Sequence, residues 1–260
     1  MVVPDSRPLA GCYVISLRPA GAHAALRRAA TRLGAGFIPL SSLRIVLDKD
    51  AATAAQLGQA LQAEHVVVTS PNAVRAAQAL QPLRAAAGQR WHAVGAGTAA
   101  ALRRAGIDHV SAPSRMDSEG LLALPGLEAL ADTTLALLTA PGGRGLLQPA
   151  FESRGARVLR ADLYRREPIR PRADALQRLL DSAPAPLWLA LSSGEALQNL
   201  LAAVPPDALR RLRQARAACA SQRLAVLAQQ EGFSGTVVAD GPRPAQLLAA
   251  MVRAQQSSGD

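Results

Sequence analysis

Short apolar runs alternate with stretches of helical spacing along nearly the whole chain. Runs of strand length fall at residues 12–17, 37–40, 65–69, 91–94, 107–112, 135–139 and 157–163. Helical patterns separate them at 23–33, 51–63, 73–80, 99–105, 118–124 and 145–153. After Pro171 the alternation resumes, with strands at 187–191, 216–220 and 236–239 and helices at 173–181, 195–203, 208–214, 222–230 and 244–254. The apolar runs are of strand length, and the stretches between them have helical composition. Gly34, Gly106, Gly155 and Gly232 stand where helix C-cap glycines belong. Strands alternating with helices predict an α/β fold with parallel sheets. Residues 1–10 read as a disordered leader, and 41–47 and 168–171 as extended connections.

Residues 135–168 form a complete βαβ unit: a strand, a break at Pro141, Gly142 and Gly143, a helix, and a strand ending on Tyr164. The turn after the first strand of such a unit is where these folds bind ligands. Gly142, Gly143 and Arg144 read as an anion-binding turn, and Tyr164 as a reactive group at a domain junction. The same residues would also serve a plain tight turn and an interface tyrosine. Arg165 and Arg166 read as solvated linker charges.

The two halves echo each other at a nearly constant offset. Ser70 and Ser193 each follow a buried strand and open a helix, Gly95 and Ala220 follow the next strand, and Gly106 and Gly232 close the next helix. Gly34 corresponds in the same way to Gly155. The duplication predicts two similar domains facing each other across a cleft. The chain leaves the first, builds the second and returns: residues 1–40 plus 170–260 form one domain, 46–164 the other, and 41–45 and 165–169 the linkers.

Composition changes this picture little. Of 260 residues 49% are hydrophobic and 3% aromatic, so the core is built from Leu, Val and Ala. The net charge of +10 is almost all arginine, Lys49 being the single lysine. Arginine offers a planar fork for carboxylate or phosphate. Few aromatics and no basic block argue against nucleic acid, whose single strands stack on aromatic rings. Cys12 and Cys219 give no disulfide framework, and His23, His65, His92 and His109 have no metal-ligand spacing. The apolar run after Arg7 suits a first strand better than a signal peptide, and no run approaches membrane-spanning length, so a cytoplasmic protein is expected.

Six segments together resemble the uroporphyrinogen-III synthase family, over residues 13–252. They are ISLRP at 15–19, VVVTSPNAV at 66–74, AVGAGTAAAL at 93–102, the glycine turn through Tyr164 at 142–166, LSSGEAL at 191–197 and ASQRLAVLA at 220–228. No one of them is specific; the ordered set is. The resemblance implies two flavodoxin-like domains joined by two connections. It implies an enzyme that removes the terminal hydroxyl of linear hydroxymethylbilane, inverts the last pyrrole ring and closes the macrocycle, with no cofactor and no metal. It assigns Tyr164 the role of proton donor to the leaving hydroxyl; a phenol, whose reference pKa is about 10, keeps its proton at neutral pH. The substrate's acetate and propionate groups need many donors. Backbone N–H groups at the helix starts after Ser70, Gly95, Gly142, Ser193 and Ser221 suit them, with Arg18, Arg144 and Arg223 adding charge. Asn72, Thr98, Ser118, Gly143 and Ser192 complete the expected substrate-binding set; Ser70, Asn72, Ser192 and Ser193 equally suit helix caps. One departure is Ala220 in place of a second Gly95, with no partner for Thr98, so any ligand role there falls on Ser221 or Arg223.

A monomer without nucleic-acid or membrane partners is expected, and a transient contact with hydroxymethylbilane synthase stays open. Two rival readings remain. A two-lobed anion-binding module without catalysis fits the same residues. Residues 95–100 match a G-x-G-x-x-A dinucleotide fingerprint, but the next strand ends at Pro113 without the acid that would hold a ribose.

Overall fold

The computed structural model describes residues 7–115, 118–142 and 145–257. The chain begins with β1 (Tyr13–Ser16), α1 (Ala24–Arg32), β2 (Gly36–Pro39) and β3 (Leu43–Leu47). It continues through α2 (Ala51–Ala60), β4 (His65–Val68), α3 (Pro71–Leu80), β5 (Arg90–Ala93), α4 (Ala96–Arg104) and β6 (Val110–Ser111). Next come α5 (Ser118–Leu122), β7 (Thr134–Thr139), α6 (Leu147–Ser153), β8 (Arg157–Asp162) and β9 (Tyr164–Pro168). It ends with α7 (Ala173–Asp181), β10 (Leu187–Leu191), α8 (Gly194–Ala203), α9 (Pro206–Arg213), β11 (Arg216–Cys219), α10 (Gln222–Gln230), β12 (Thr236–Val238) and α11 (Pro244–Gln256).

The chain divides into two units. One runs up to Arg44 and resumes at Glu167; the other is Ile45–Arg166. The first holds a sheet of order β12-β11-β10-β1-β2, the second a sheet of order β6-β5-β4-β7-β8. All ladders in both are parallel. Set side by side, β10, β11 and β12 correspond to β4, β5 and β6, and β1 and β2 to β7 and β8. Numbered along the chain, the first sheet has the flavodoxin-type order 2-1-3-4-5, and the second is the same arrangement entered at a different strand, so that it reads 3-2-1-4-5.

Burial on both faces explains the continuous apolar strands. Every residue of β10, LWLAL, is buried. Successive side chains point to opposite faces. Ile15, Leu189, Leu191 and Ala217 therefore pack in one layer, while Val14, Trp188, Ala190 and Ala218 pack in the other. The second unit repeats this, with Val66, Val68, Ala136 and Leu138 against Val67, Leu135 and Leu137.

Several details differ from the sequence expectation. Residues 7–10 belong to the fold rather than to a leader: Leu9 is fully buried and its N–H donates to Leu33 O at 3.0 Å. Residues 43–47 of the first connecting stretch form β3 and residues 164–168 form β9, and the two pair with each other and so satisfy their exposed backbone groups; residues 169–171 remain outside any strand. Helix α3 starts at Pro71, a favoured first helical residue, and its cap is Ser70 rather than Asn72. The edge strand β6 spans only two residues, Val110 and Ser111.

Two features carry measurable consequences. Gly155 has φ +90°, and a Cβ there would stand 2.9 Å from Ala131 Cα. Gly155→Ala is expected to cost more than about 1 kcal/mol in urea unfolding, because it combines a left-handed backbone with a close approach. His65 and His92, on neighbouring strands, are both buried. Their rings stack with centroids 5.3 Å apart, and Nδ1 of His65 lies 3.1 Å from Nε2 of His92. That hydrogen bond needs one nitrogen as acceptor, so the rings cannot both be protonated.

Candidate functional site

In the second unit the strand order reverses at the central pair, β4 and β7, and the loops leaving their C-terminal ends meet there. Thr69 follows β4, and its N–H donates to Leu138 O at 3.1 Å. Its hydroxyl lies 2.9 Å from Thr139 Oγ1 and 3.3 Å from Leu138 O. Ser70 comes next in extended conformation, and its Oγ accepts the Ala73 N–H at 3.1 Å, capping α3.

Tyr164 arrives from the other side of the pair. Leu163 before it is pinned twice: its N–H donates to Thr139 O at 3.0 Å, and its carbonyl accepts from Asp48 N–H at 3.1 Å. The tyrosine is 3% exposed and packs in the same core layer as Val68 and Leu138. Its phenol oxygen lies 2.9 Å from Ser70 Oγ, with either atom able to donate.

The glycine turn after β7 is held from outside by two arginines. Arg160 donates to Ala140 O at 3.4 Å while its Nε and Nη2 contact Asp162 at 3.1 and 3.0 Å. Arg166 donates to Pro141 O at 3.0 Å. Gly142 adopts φ +84°, and a Cβ there would stand 3.3 Å from Arg166 Nη2. The result is a cavity of about 250 Å³ lined by Ser70, Ser118, Thr139, Gly142, Tyr164 and Arg166.

This arrangement brings a phenol hydroxyl and a guanidinium to one concave surface. When Ser70 donates to the phenol oxygen, the Tyr164 proton is directed elsewhere. A negative charge growing on that oxygen would meet the Ser70 O–H and the positive end of α3.

Of the residues expected from sequence, Ser70, Ser118, Gly142 and Tyr164 line this cavity. Gly143 and Arg144 lie outside the described residues. Gly95 is the extended N-cap of α4 and Thr98 is buried in its first turn. Asn72 Oδ1 accepts from Arg75 Nη2 at 3.2 Å. Neither these three nor any residue of the first unit lines the phenol cavity. Ser192, Ser193 and Arg223 line another cavity, of about 670 Å³, in the first unit, where Ser193 Oγ caps α8 by accepting the Ala196 N–H at 3.2 Å. Ser221 stands at the N-cap of α10 without a side-chain cap bond. Arg18 donates from Nη2 to Pro242 O at 3.1 Å, and its buried Nε has no hydrogen-bond partner among the described residues. Burial lowers its pKa from the ordinary guanidinium value.

Arg165 and Arg166 correct the reading of solvated linker charges. Arg165 pairs with Asp48, and Arg166 walls the phenol cavity. The sequence reading also missed Thr69, Thr139 and Arg160. The alternation Arg160, Asp162, Tyr164, Arg166 was the available signal, since residues two apart in extended chain share a side.

The family model described as Uroporphyrinogen-III synthase HemD matches residues 24–249 of this chain. The chain belongs to the uroporphyrinogen-III synthase family. The uroporphyrinogen-III synthase of Salmonella typhimurium is 32% identical over 171 residues, covering 62% of this chain and 66% of that protein. The Escherichia coli uroporphyrinogen-III synthase is 32% identical over 163 residues, with the same coverage of 62% and 66%. These alignments span a little under two thirds of either relative's length. A mutant uroporphyrinogen III synthase from Thermus thermophilus superposes with a TM-score of 0.61 at 21% identity, covering 95% of this chain and 99% of that one, which supports the shared two-unit fold. In uroporphyrinogen-III synthase terms, the matched segment contains Tyr164 and every residue lining its cavity. No described helix is long and apolar enough to cross a membrane. Among the described residues no group of three or more His, Cys, Asp or Glu could hold a metal ion.

Proposed function

We propose that this chain is a cyclising lyase that converts linear hydroxymethylbilane to uroporphyrinogen III in haem biosynthesis, losing water and inverting the terminal pyrrole ring. The observation that carries the reading is the Tyr164 phenol, 2.9 Å from the Ser70 hydroxyl, at the wall of a cavity that also carries Arg166. Tyr164 gives its proton to the substrate's terminal hydroxyl. The C–O bond breaks, water leaves, and the positive charge is delocalised into the attached pyrrole. Ser70 O–H and the first turn of α3 hold the phenolate meanwhile. The proton lost on ring closure restores the phenol, so the cycle consumes no acid.

Arg166 and the backbone N–H groups around Ser70 and Gly142 bind the carboxylate arms nearest the reacting carbon. Ser118 and the residues around Ser193, Ser221 and Arg223 serve other arms. The protein acts as a cytoplasmic monomer on a small-molecule substrate, needs no added cofactor, and meets hydroxymethylbilane synthase only transiently.

The test is an isomer assay. Hydroxymethylbilane cyclises spontaneously to the symmetric type I product. Added protein is expected to divert it to type III, read by chromatography after oxidation to porphyrins. A type III fraction that does not rise with protein concentration overturns the reading in favour of a non-catalytic anion-binding module.

A further inference from the structure

The first unit holds a cavity of about 590 Å³ that the sequence did not announce. The loop after β1, the end of β2, the first turn of α1, the segment after β9 and α7 as far as Arg178 supply its walls. Four arginines line it, Arg27, Arg170, Arg172 and Arg178, against a single carboxylate, Asp174. Asp174 is taken by Arg172 at 2.9 Å. Arg27, Arg170 and Arg178 have no ion pair among the described residues; Arg27 lies over the Phe37 ring at 5.2 Å. Both α1 and α7 begin here without a side-chain cap bond, leaving first-turn N–H groups available.

The histidine in the wall does not offset or add to this charge. His23 Nε2 lies 2.7 Å from Ser41 Oγ, and Ser41 O–H donates to Arg18 O at 2.8 Å. Ser41 must therefore accept from Nε2–H, and in the neutral ring Nδ1 accepts from Ser16 O–H at 2.9 Å. Burial first, and Arg27 and Arg18 next, lower its pKa and so favour that neutral form. The lining is also apolar in part, through Ala24, Pro39, Ile169 and Ala175. An isolated phosphate would meet the arginines and leave those apolar side chains without a partner. A flat apolar ring with carboxylate arms meets both, and the volume lies in the usual range for such ligands.

We infer that this cavity is a second ligand site, which takes a pyrrole-type ring bearing carboxylate arms, with Arg27 and Arg178 as partners of the arms. Under the proposed function, on which this identification of the ring rests, it holds one ring of the tetrapyrrole. Charged arginine–carboxylate bonds here are lost one by one on substitution.

Titration calorimetry tests this with a monopyrrole carrying one acetate and one propionate arm, its dimethyl ester, and inorganic phosphate. The diacid is expected to bind at least about tenfold more tightly than the ester or phosphate. Arg27→Gln with Arg178→Gln is expected to weaken the diacid by at least about tenfold, with Arg27→Lys and Arg178→Lys restoring part of it. Tyr164→Phe is expected to leave diacid binding unchanged. In the isomer assay the double glutamine variant should raise KM with little change in kcat. Lost diacid binding with an unchanged KM would support the site but assign it to free monopyrroles. Diacid binding that survives the double substitution, or phosphate binding as tightly as the diacid, overturns the inference. If wild-type protein yields only type I product, the proposed reaction falls, yet the titrations still decide the site.

Discussion

Tyr164→Phe is expected to lower type III formation by about 10²-fold or more, a magnitude typical of losing a positioned general acid. The phenylalanine ring fills the same space in the core around Val68 and Leu138, so packing is kept. What disappears is the oxygen 2.9 Å from Ser70 Oγ and its proton. Folded stability should fall by only about 1 kcal/mol, the scale of one hydrogen bond. Ser70 would still cap α3 through Ala73 N–H, so the helix start is unaffected. The loss should appear in kcat rather than in KM, because the proton matters only as the C–O bond breaks. Steady-state assays with separation of the two isomers, beside a urea titration, check both halves. Turnover at the wild-type rate would remove the phenol from the chemistry.

Acidification is expected to destabilise the protein well before its carboxylates titrate. Burial, with smaller contributions from His65 and Arg90, pulls His92 down to about 4 from 6.5. His65 is lowered too, by burial first and then by Arg90. The folded state thus binds fewer protons than the unfolded one between those values. The stabilisation is complete above pH 6.5 and drains away as pH falls towards 4. At about 1.4 kcal/mol per pK unit, His92 alone accounts for about 3 kcal/mol. His23 shifts in the same direction, so a variant is needed to apportion the slope. His92→Phe keeps an aromatic ring beside His65 and removes the titration. Urea midpoints measured from pH 7 down to 4.5 should fall steeply for the wild type and less so for the variant. Parallel curves would show that the pair does not set acid stability.

The fold was legible because the central strands β4, β7, β10 and β1 are buried almost throughout. Val66 to Val68 and Leu187 to Leu191 admit few other structures. The correspondence of Ser70 with Ser193 and of Gly34 with Gly155 reached the level of topology, since both pairs occupy equivalent places in the two sheets. The connections were misread because strands β3 and β9 carry Arg, Glu and Pro, and their pairing is with each other across the sequence. Local composition cannot announce a partner so distant. The site was half visible for a related reason. Ser70 and Gly142 announce themselves through cap and turn chemistry. Arg160 and Arg166 act by donating to carbonyls of a distant turn, and those bonds exist only once β7, β8 and β9 lie together. The arginine-lined cavity by α1 and α7 escaped notice because its parts come from the two ends of the interrupted unit.

That interruption has a consequence for synthesis. Tyr13 is paired with Leu187, so the central ladder of the first unit cannot form until the ribosome has made β10. The second unit, a continuous segment, is complete by then. Once it has folded, the pairing of β3 with β9 draws the two loose ends together and turns a long closure into a short one. Until that moment β1, α1 and β2 emerge as an orphan parallel βαβ unit of apolar chain with no sheet to join, and a nascent chain stalled before residue 187 should be a strong client for chaperones.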